Sequence, residues 1–372
     1  MEWDEAEEAP ALDDFGLRRH RTLAGRARFA AFDRRRLAWL LALLVALPWV
    51  PVGSPTDGRA PRQLAWGSIG SQGWRLAMAD GASRIASSHI DGSIRLCDPT
   101  DGSVQLLRAD HWHTPAIALS ANGRSLAIGG DIAEVELYDL SRGGARLRRV
   151  IPIRGTSELR LSPDGRILAA AFARSNAVIL WDIEAEREQR TLRGHRSPVS
   201  SLTFFPDGRT LATGGRADRT ILVWDLESGR PTRTIRESDG PIVSLAASAD
   251  GRLLVSSNPN ERWVRVWDVA TSTQVWSLEG QSPWPGLIAF GPDPHTVAVA
   301  DGGGIVRLWS LESGREFGRL DSQSAQLRGL GVSHDGRSLV ALSADGGILS
   351  WDLGDLPADS GTHGTIASRP VR

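Results

Sequence analysis

Lysine is absent from this chain: all 43 basic residues are arginine. So complete a bias is the mark of a GC-rich genome, and arginine excess by itself does not indicate anion binding. Cysteine is nearly absent too, with Cys97 the single example. One cysteine excludes an intrachain disulfide and a four-cysteine zinc module, and it leaves the redox compartment unmarked. Net charge is also missing, since 44 acidic residues offset the 43 arginines to leave −1. No global field draws the chain to nucleic acid or other polyanions, and no nucleic-acid partner is expected. The Gly-x-Ser-x-Gly elbow, the phosphate-binding loop, His-Glu-x-x-His and a paired-carboxylate signature are all absent. The expectation is a non-enzyme without cofactor or metal.

The N-terminal region differs from the rest. Residues 1–14 are acidic, residues 18–36 hold eight arginines, and residues 37–52 read LAWLLALLVALPWVPV without a charge. Sixteen residues fall between a signal-peptide core and a full membrane span. Trp39 and Trp49 stand near the two ends, where interfacial tryptophans belong, and Pro48 and Pro51 end the helix at its exit side. The arginines precede the run, so the positive-inside tendency keeps the N-terminus cytoplasmic and exports the remainder, into a periplasmic or other extracytoplasmic space. The expectation is a single-pass membrane protein. Its parts are a charged tail (1–36), a transmembrane or signal-anchor helix (37–53), a linker (54–61), a folded domain (62–353) and a C-terminal tail (354–372). Two other readings stay open: a signal that is cleaved, and a buried helix in a soluble cytoplasmic protein.

What fills residues 62–353 is a repeat. An aromatic-Asp pair or its equivalent recurs at Cys97-Asp98, Tyr138-Asp139, Trp181-Asp182, Trp224-Asp225, Trp267-Asp268, Trp309-Ser310 and Trp351-Asp352, at spacings of 41 to 43. A turn series keeps phase with it: Asp80-Gly81, Asn122-Gly123, Asp164-Gly165, Asp207-Gly208, Asp250-Gly251, Asp293-Pro294 and Asp335-Gly336. Each unit parses into four short strands. In the fourth these are VSSLTF, TLATGG, TILVWD and PTRTIR, joined by Pro-Asp-Gly, Ala-Asp-Arg and Glu-Ser-Gly turns. Asp301-Gly302-Gly303-Gly304 has the composition of a phosphate loop, but no helix follows it, and it reads as a turn.

These units resemble WD40 repeats, and the chain resembles a seven-bladed WD40 β-propeller, an all-β fold. The tail after Asp352 offers no fourth strand for the last unit, whereas Gln63-Leu64-Ala65-Trp66 stands in the right register to supply one. The expectation is a monomeric ring closed by that strand.

The resemblance implies a structural hydrogen-bond chain of His, Ser or Thr, Asp and Trp, which WD40 units often carry and which only the fourth blade retains in full. The fourth blade holds every member: His195, Thr213, Asp218 and Trp224. It also implies non-catalytic work as a protein-interaction scaffold, with proteins or peptides as partners. The resemblance further implies that the loops before the first strand and between the second and third share one face. Register places Trp112, Trp263 and Trp284 there, with Arg196, Arg216, Arg219 and Arg262, the residue types enriched at binding hot spots. His89, His111 and His113 are read as solvent-exposed loop histidines on the same rim. An exported propeller enzyme using the central channel, and a soluble cytoplasmic WD40 scaffold, are the alternatives.

Overall fold

The computed structural model describes residues 62–65, 72–79, 84–98, 103–108, 116–131, 133–141, 144–236, 240–261, 263–279, 286–291, 293–323, 326–333 and 336–353. These residues build seven four-stranded antiparallel sheets. Six sheets use consecutive strands. Blade one runs from Gly73–Met78 to Val104–Arg108, blade two from Ala116–Leu119 to Arg146–Arg154, and blade three from Thr156–Leu161 to Arg187–Arg193. Blade four runs from Val199–Phe204 to Arg230–Arg236, blade five from Ser244–Ala247 to Thr273–Glu279, and blade six from Leu287–Phe290 to Arg315–Asp321.

Blade seven is composite. Leu327–Val332, Ser338–Ser343 and Ile348–Asp352 are joined by Arg62–Ala65, with Arg62 opposite Ser350 and Gln63 opposite Leu349. The closing strand therefore lies one residue earlier than Gln63–Trp66. The first strands form an inner ring, each beside the next, and Leu327–Val332 lies against Gly73–Met78 to complete it. A ring closed this way leaves no sheet edge unpaired between first and last blades. The expected tail (1–36), helix (37–53) and linker (54–61) lie outside the described residues, as does the C-terminal tail (354–372). Among the described residues no helix is long and apolar enough to cross a membrane.

The core sits between blades. One apolar cluster joins Leu137 and Ile151 of blade two to Leu159 and Leu168 of blade three. The next joins Leu180 and Leu192 to Leu202, Leu211 and Trp224, and similar clusters continue round to Val340 and Leu342 against Ile85 and Cys97. Each sheet thus buries both faces, so its inner strands are apolar runs. Close approach is needed at the closing seam, where a Cβ on Gly329 would stand 2.2 Å from Leu76 Cβ.

The repeated Asp residues divide into two duties. In the turns between first and second strands, Ser162 donates to Asp164 at 2.5 Å and Ser248 to Asp250 at 2.6 Å, and the following glycine turns through positive φ. In the hairpins after the third strand, Asp182, Asp225 and Asp268 accept backbone N–H groups of Glu184, Ser228 and Thr271. Bonding from Ser228 lowers the pKa of Asp225 below its ordinary value. Asp301 accepts the N–H groups of Gly303 and Ile305, so its glycine run is a strand-to-strand turn.

Candidate functional site

The fourth blade carries an unbroken hydrogen-bond chain. Trp224 Nε1 donates to Thr213 Oγ1 at 2.8 Å, Thr213 Oγ1 lies 2.7 Å from His195 Nε2, and His195 Nδ1 lies 2.9 Å from Asp218 Oδ2. Thr213 is fully buried, and Trp224 and His195 nearly so. The arrangement fits one polarity: indole N–H to hydroxyl, hydroxyl to Nε2, Nδ1–H to carboxylate. Burial lowers the imidazole pKa below its ordinary 6.5, overriding the Asp218 bond and charge that favour the cation. Burial works to raise the Asp218 carboxyl pKa. The N–H of Arg196, then the charge and bond of His195, outweigh it and bring it below 3.8.

This chain fastens two loops together. His195 lies in the connection from blade three, and Asp218 lies in the turn between second and third strands. Asp218 Oδ2 also accepts the Arg196 N–H at 2.8 Å, while Oδ1 accepts the N–H and hydroxyl of Thr220 at 3.2 and 3.0 Å. Ser197 Oγ accepts the N–H groups of Ala217 and Asp218. Both Asp218 oxygens are spent inward.

Beside this clasp is a cleft of ≈520 Å³ on the outer half of blade four. Leu222 and Pro231 give it an apolar part, Gly194, Thr220 and Thr234 line it further, and Arg196, Arg219 and Arg236 stand around it with Asp218. All three arginines are exposed. Among the described residues neither Arg196 nor Arg236 forms an ion pair. The structure thus brings together two sequence-named arginines, Arg196 and Arg219, and adds Arg236. Arg216 is exposed on the same turn, with its N–H on Pro198 O, but does not line the cleft.

Arg236 was missed for a geometric reason. Pairing across the last hairpin runs Asp225 with Arg230, then slips at a bulge between Val223 and Trp224, so that Thr220 meets Arg236. A plain count along the hairpin puts Ile235 opposite Thr220. Trp263 is half-buried as the first residue of the third strand of blade five, opposite Glu279, and is not in a loop. Trp112, Trp284 and Arg262 lie outside the described residues.

His89 is corrected. It ends the second strand of blade one and is fully buried, with Nε2 3.0 Å from Ser87 Oγ. Register aligns Ser87 with Thr213, so His89 supplies from its own strand the imidazole that His195 brings from a loop. His111 and His113 lie outside the described residues.

The inner ring has one conspicuous charge group. Glu158 of blade three is 3% exposed and is paired through Oε2 with Arg75 of blade one and through Oε1 with Arg160 at 2.7 Å. Arg75 Nη2 also donates to Ser157 O at 2.8 Å. Arg75 thereby spans from the first blade to the third.

Two segments, 186–225 and 229–268, match the family model described as "WD domain, G-beta repeat". Over 118 residues the chain is 28% identical to "Transcription factor unc-37" of Caenorhabditis elegans, covering 32% of this chain and 19% of that protein. Over 89 residues it is 33% identical to "WD repeat-containing protein SL1-17" of Schistosoma mansoni, covering 23% of this chain and 28% of that protein. The match spans less than a third of the length of either relative.

Proposed function

We propose that this chain, a seven-bladed β-propeller carrying WD40 repeats, is a non-catalytic interaction scaffold that holds protein partners at its loop face. The observation that carries this reading is the clasp of His195 and Asp218, which fixes two loops of one blade and leaves Arg196 and Arg219 exposed beside them. A rigid ring lowers the ordering cost of presenting several loops at once. The similarity to a WD repeat-containing protein and to a transcription factor that shares this region supports a binding role. Trp263 with Trp284 and Arg262 forms a second contact area in this reading, and Trp112 and Arg216 belong to the same face.

The scaffold is tethered through residues 37–53, with the N-terminus cytoplasmic and the propeller exported. Support for the tether is the uncharged run itself and the eight arginines before it.

Partner capture tests the scaffold. Tagged full-length chain is cross-linked in the native cell, and the recovered proteins are compared with those of Trp263→Ala and Trp284→Ala. Loss of the same partners in both variants supports the reading, and unchanged recovery in both removes the aromatic area from it. Alkaline carbonate extraction tests the tether: retention in the membrane pellet supports it, and release into the supernatant removes it.

A further inference from the structure

We infer that the cleft of blade four binds an acidic peptide segment, with carboxylates on the three arginines and an apolar side chain on the Leu222–Pro231 wall. The inference rests on the scaffold reading and gives that scaffold a partner chemistry. Three guanidinium side chains, Arg196, Arg219 and Arg236, line one opening of ≈520 Å³. The acid among them is already occupied: Asp218 is turned inward, its side chain 6% exposed, its oxygens on His195, Thr220 and the Arg196 N–H. The clasp turns the carboxylate's acceptor atoms away from the opening without cancelling its charge, and among the described lining residues three guanidinium groups outweigh that single carboxylate. Chain-wide charge is −1, so this basicity is local.

The wall matters as much as the rim. Pro231 is exposed at the opening and Leu222, almost wholly buried, lines it, and Pro231 withholds an N–H from the outer strand. Strand addition at that edge is thereby discouraged, and side-chain recognition is favoured. Guanidinium groups suit carboxylates by geometry as well as charge.

Two arginines are held by backbone rather than by chance. Arg219 sits at φ 59°, fixed in the turn that Asp218 caps, and Arg236 is placed opposite Thr220 by the bulge. The rim is built by the same hydrogen bonds that hold the blade together.

The test uses the full chain and fluorescein-labelled twelve-residue peptides of alternating Glu and Leu, with Lys-Leu and Ser-Leu peptides as controls. Anisotropy is read at low and at physiological salt. The Glu-Leu peptide is expected to bind at least tenfold more tightly than either control, and to weaken as salt rises. Arg219→Asn with Arg236→Gln is expected to weaken it at least tenfold, since asparagine tolerates the left-handed backbone at 219. Arg146→Gln with Arg187→Gln, which removes the same charge from the outer strands of blades two and three, is expected to change it less than twofold.

Equal weakening by both charge-matched variants overturns the inference, as does equal binding of all three peptides. Displacement by millimolar inorganic phosphate together with tighter binding of a phosphoserine peptide also overturns it, in favour of a phosphate site. The thermal midpoint of each variant is measured alongside, and a midpoint unchanged within a few degrees certifies folding. If the Arg219→Asn, Arg236→Gln variant binds the Glu-Leu peptide as tightly as the wild type while cross-linked partners are still recovered, the cleft inference fails and the scaffold stands. If the peptide binds but no partner is recovered in cells, the scaffold reading fails alone.

Discussion

Trp224 gives its indole N–H to the Thr213 hydroxyl at 2.8 Å, both groups buried in the fourth blade. One blade on, Trp267 does the same to Ser256 at 2.9 Å. In blades three and seven the register puts Ala170 and Ala341 where the hydroxyl would be. There Trp181 Nε1 and Trp351 Nε1 are buried without a hydrogen-bond partner among the described residues. The stability of the ring is thus spread unevenly, with blade four the best satisfied.

Thr213→Val keeps the shape and removes the hydroxyl that Trp224 and His195 share. It is expected to cost about 1–3 kcal/mol, the price of leaving buried polar groups unpaired. Ala170→Ser gives Trp181 a partner and is expected to gain about 0.5–1 kcal/mol. Denaturant midpoints at constant slope measure both. A gain from Thr213→Val contradicts the account.

Acid is expected to weaken blade four in two steps. The folded state holds His195 neutral with its pKa below 6.5 and Asp218 ionised with its pKa below 3.8. Below pH 6.5 the unfolded chain takes up a proton on the histidine before the folded chain does, so stability falls as pH drops toward the folded imidazole pKa. Below 3.8 the carboxylate repeats the effect. Thermal midpoints between pH 7.5 and 5 therefore fall in the wild type. Replacing His195 with Gln, which cannot titrate, flattens that slope, and an unchanged slope refutes the assignment.

Neighbouring blades are latched at the rim. Arg190 of blade three donates to Glu227 O at 2.9 Å and Ser228 O at 3.2 Å in the next hairpin. Arg233 repeats this toward Ala270 O at 3.2 Å, and Arg149 pairs with Glu186. Gly229, at φ 69°, makes room: a Cβ there would lie 2.2 Å from Arg190 Cδ. Gly229→Ala is expected to destabilise by about 1–3 kcal/mol, and Arg190→Ala, at an exposed site, by about 0.5–1.5 kcal/mol. Because the clash disappears with the arginine, the double variant is expected to fall short of the sum. A double-mutant cycle by calorimetry reads the difference, and strict additivity denies the latch.

Across the inner ring, Arg75→Ala leaves buried Glu158 with Arg160 alone. A cost of about 1–3 kcal/mol is expected. Arg75→Met with Glu158→Leu is expected to recover most of it, since an apolar pair of like volume replaces a buried ion pair at little cost. Urea midpoints decide, and a double variant worse than Arg75→Ala counts against the pairing.

Much of the candidate site could be read ahead of the structure, though not all of it. His195, Thr213, Asp218 and Trp224 stand in order along one repeat, and their contacts follow from that order. Arg236 could not be reached, because a single bulge changes which side of the hairpin each residue faces. His89 looked like a loop residue because it abuts the Asp91-Gly92 turn, yet register aligns it with Gly215, the last residue of the equivalent strand in blade four.

Seven blades, four strands in each, and a ring closed by a strand from near the start of the folded region are all legible in the amino-acid order. Those features are local, since turn residues, alternation and a repeat of 41 to 43 residues act within one unit at a time. Which side chains meet across units is set by the folded ring. Arg75 reaches Glu158 past an intervening blade, Arg190 reaches the Glu227 carbonyl, and three arginines converge around one cleft. Such meetings depend on bulge parity and on the curvature of a closed ring, which arise only when all seven sheets pack against one another.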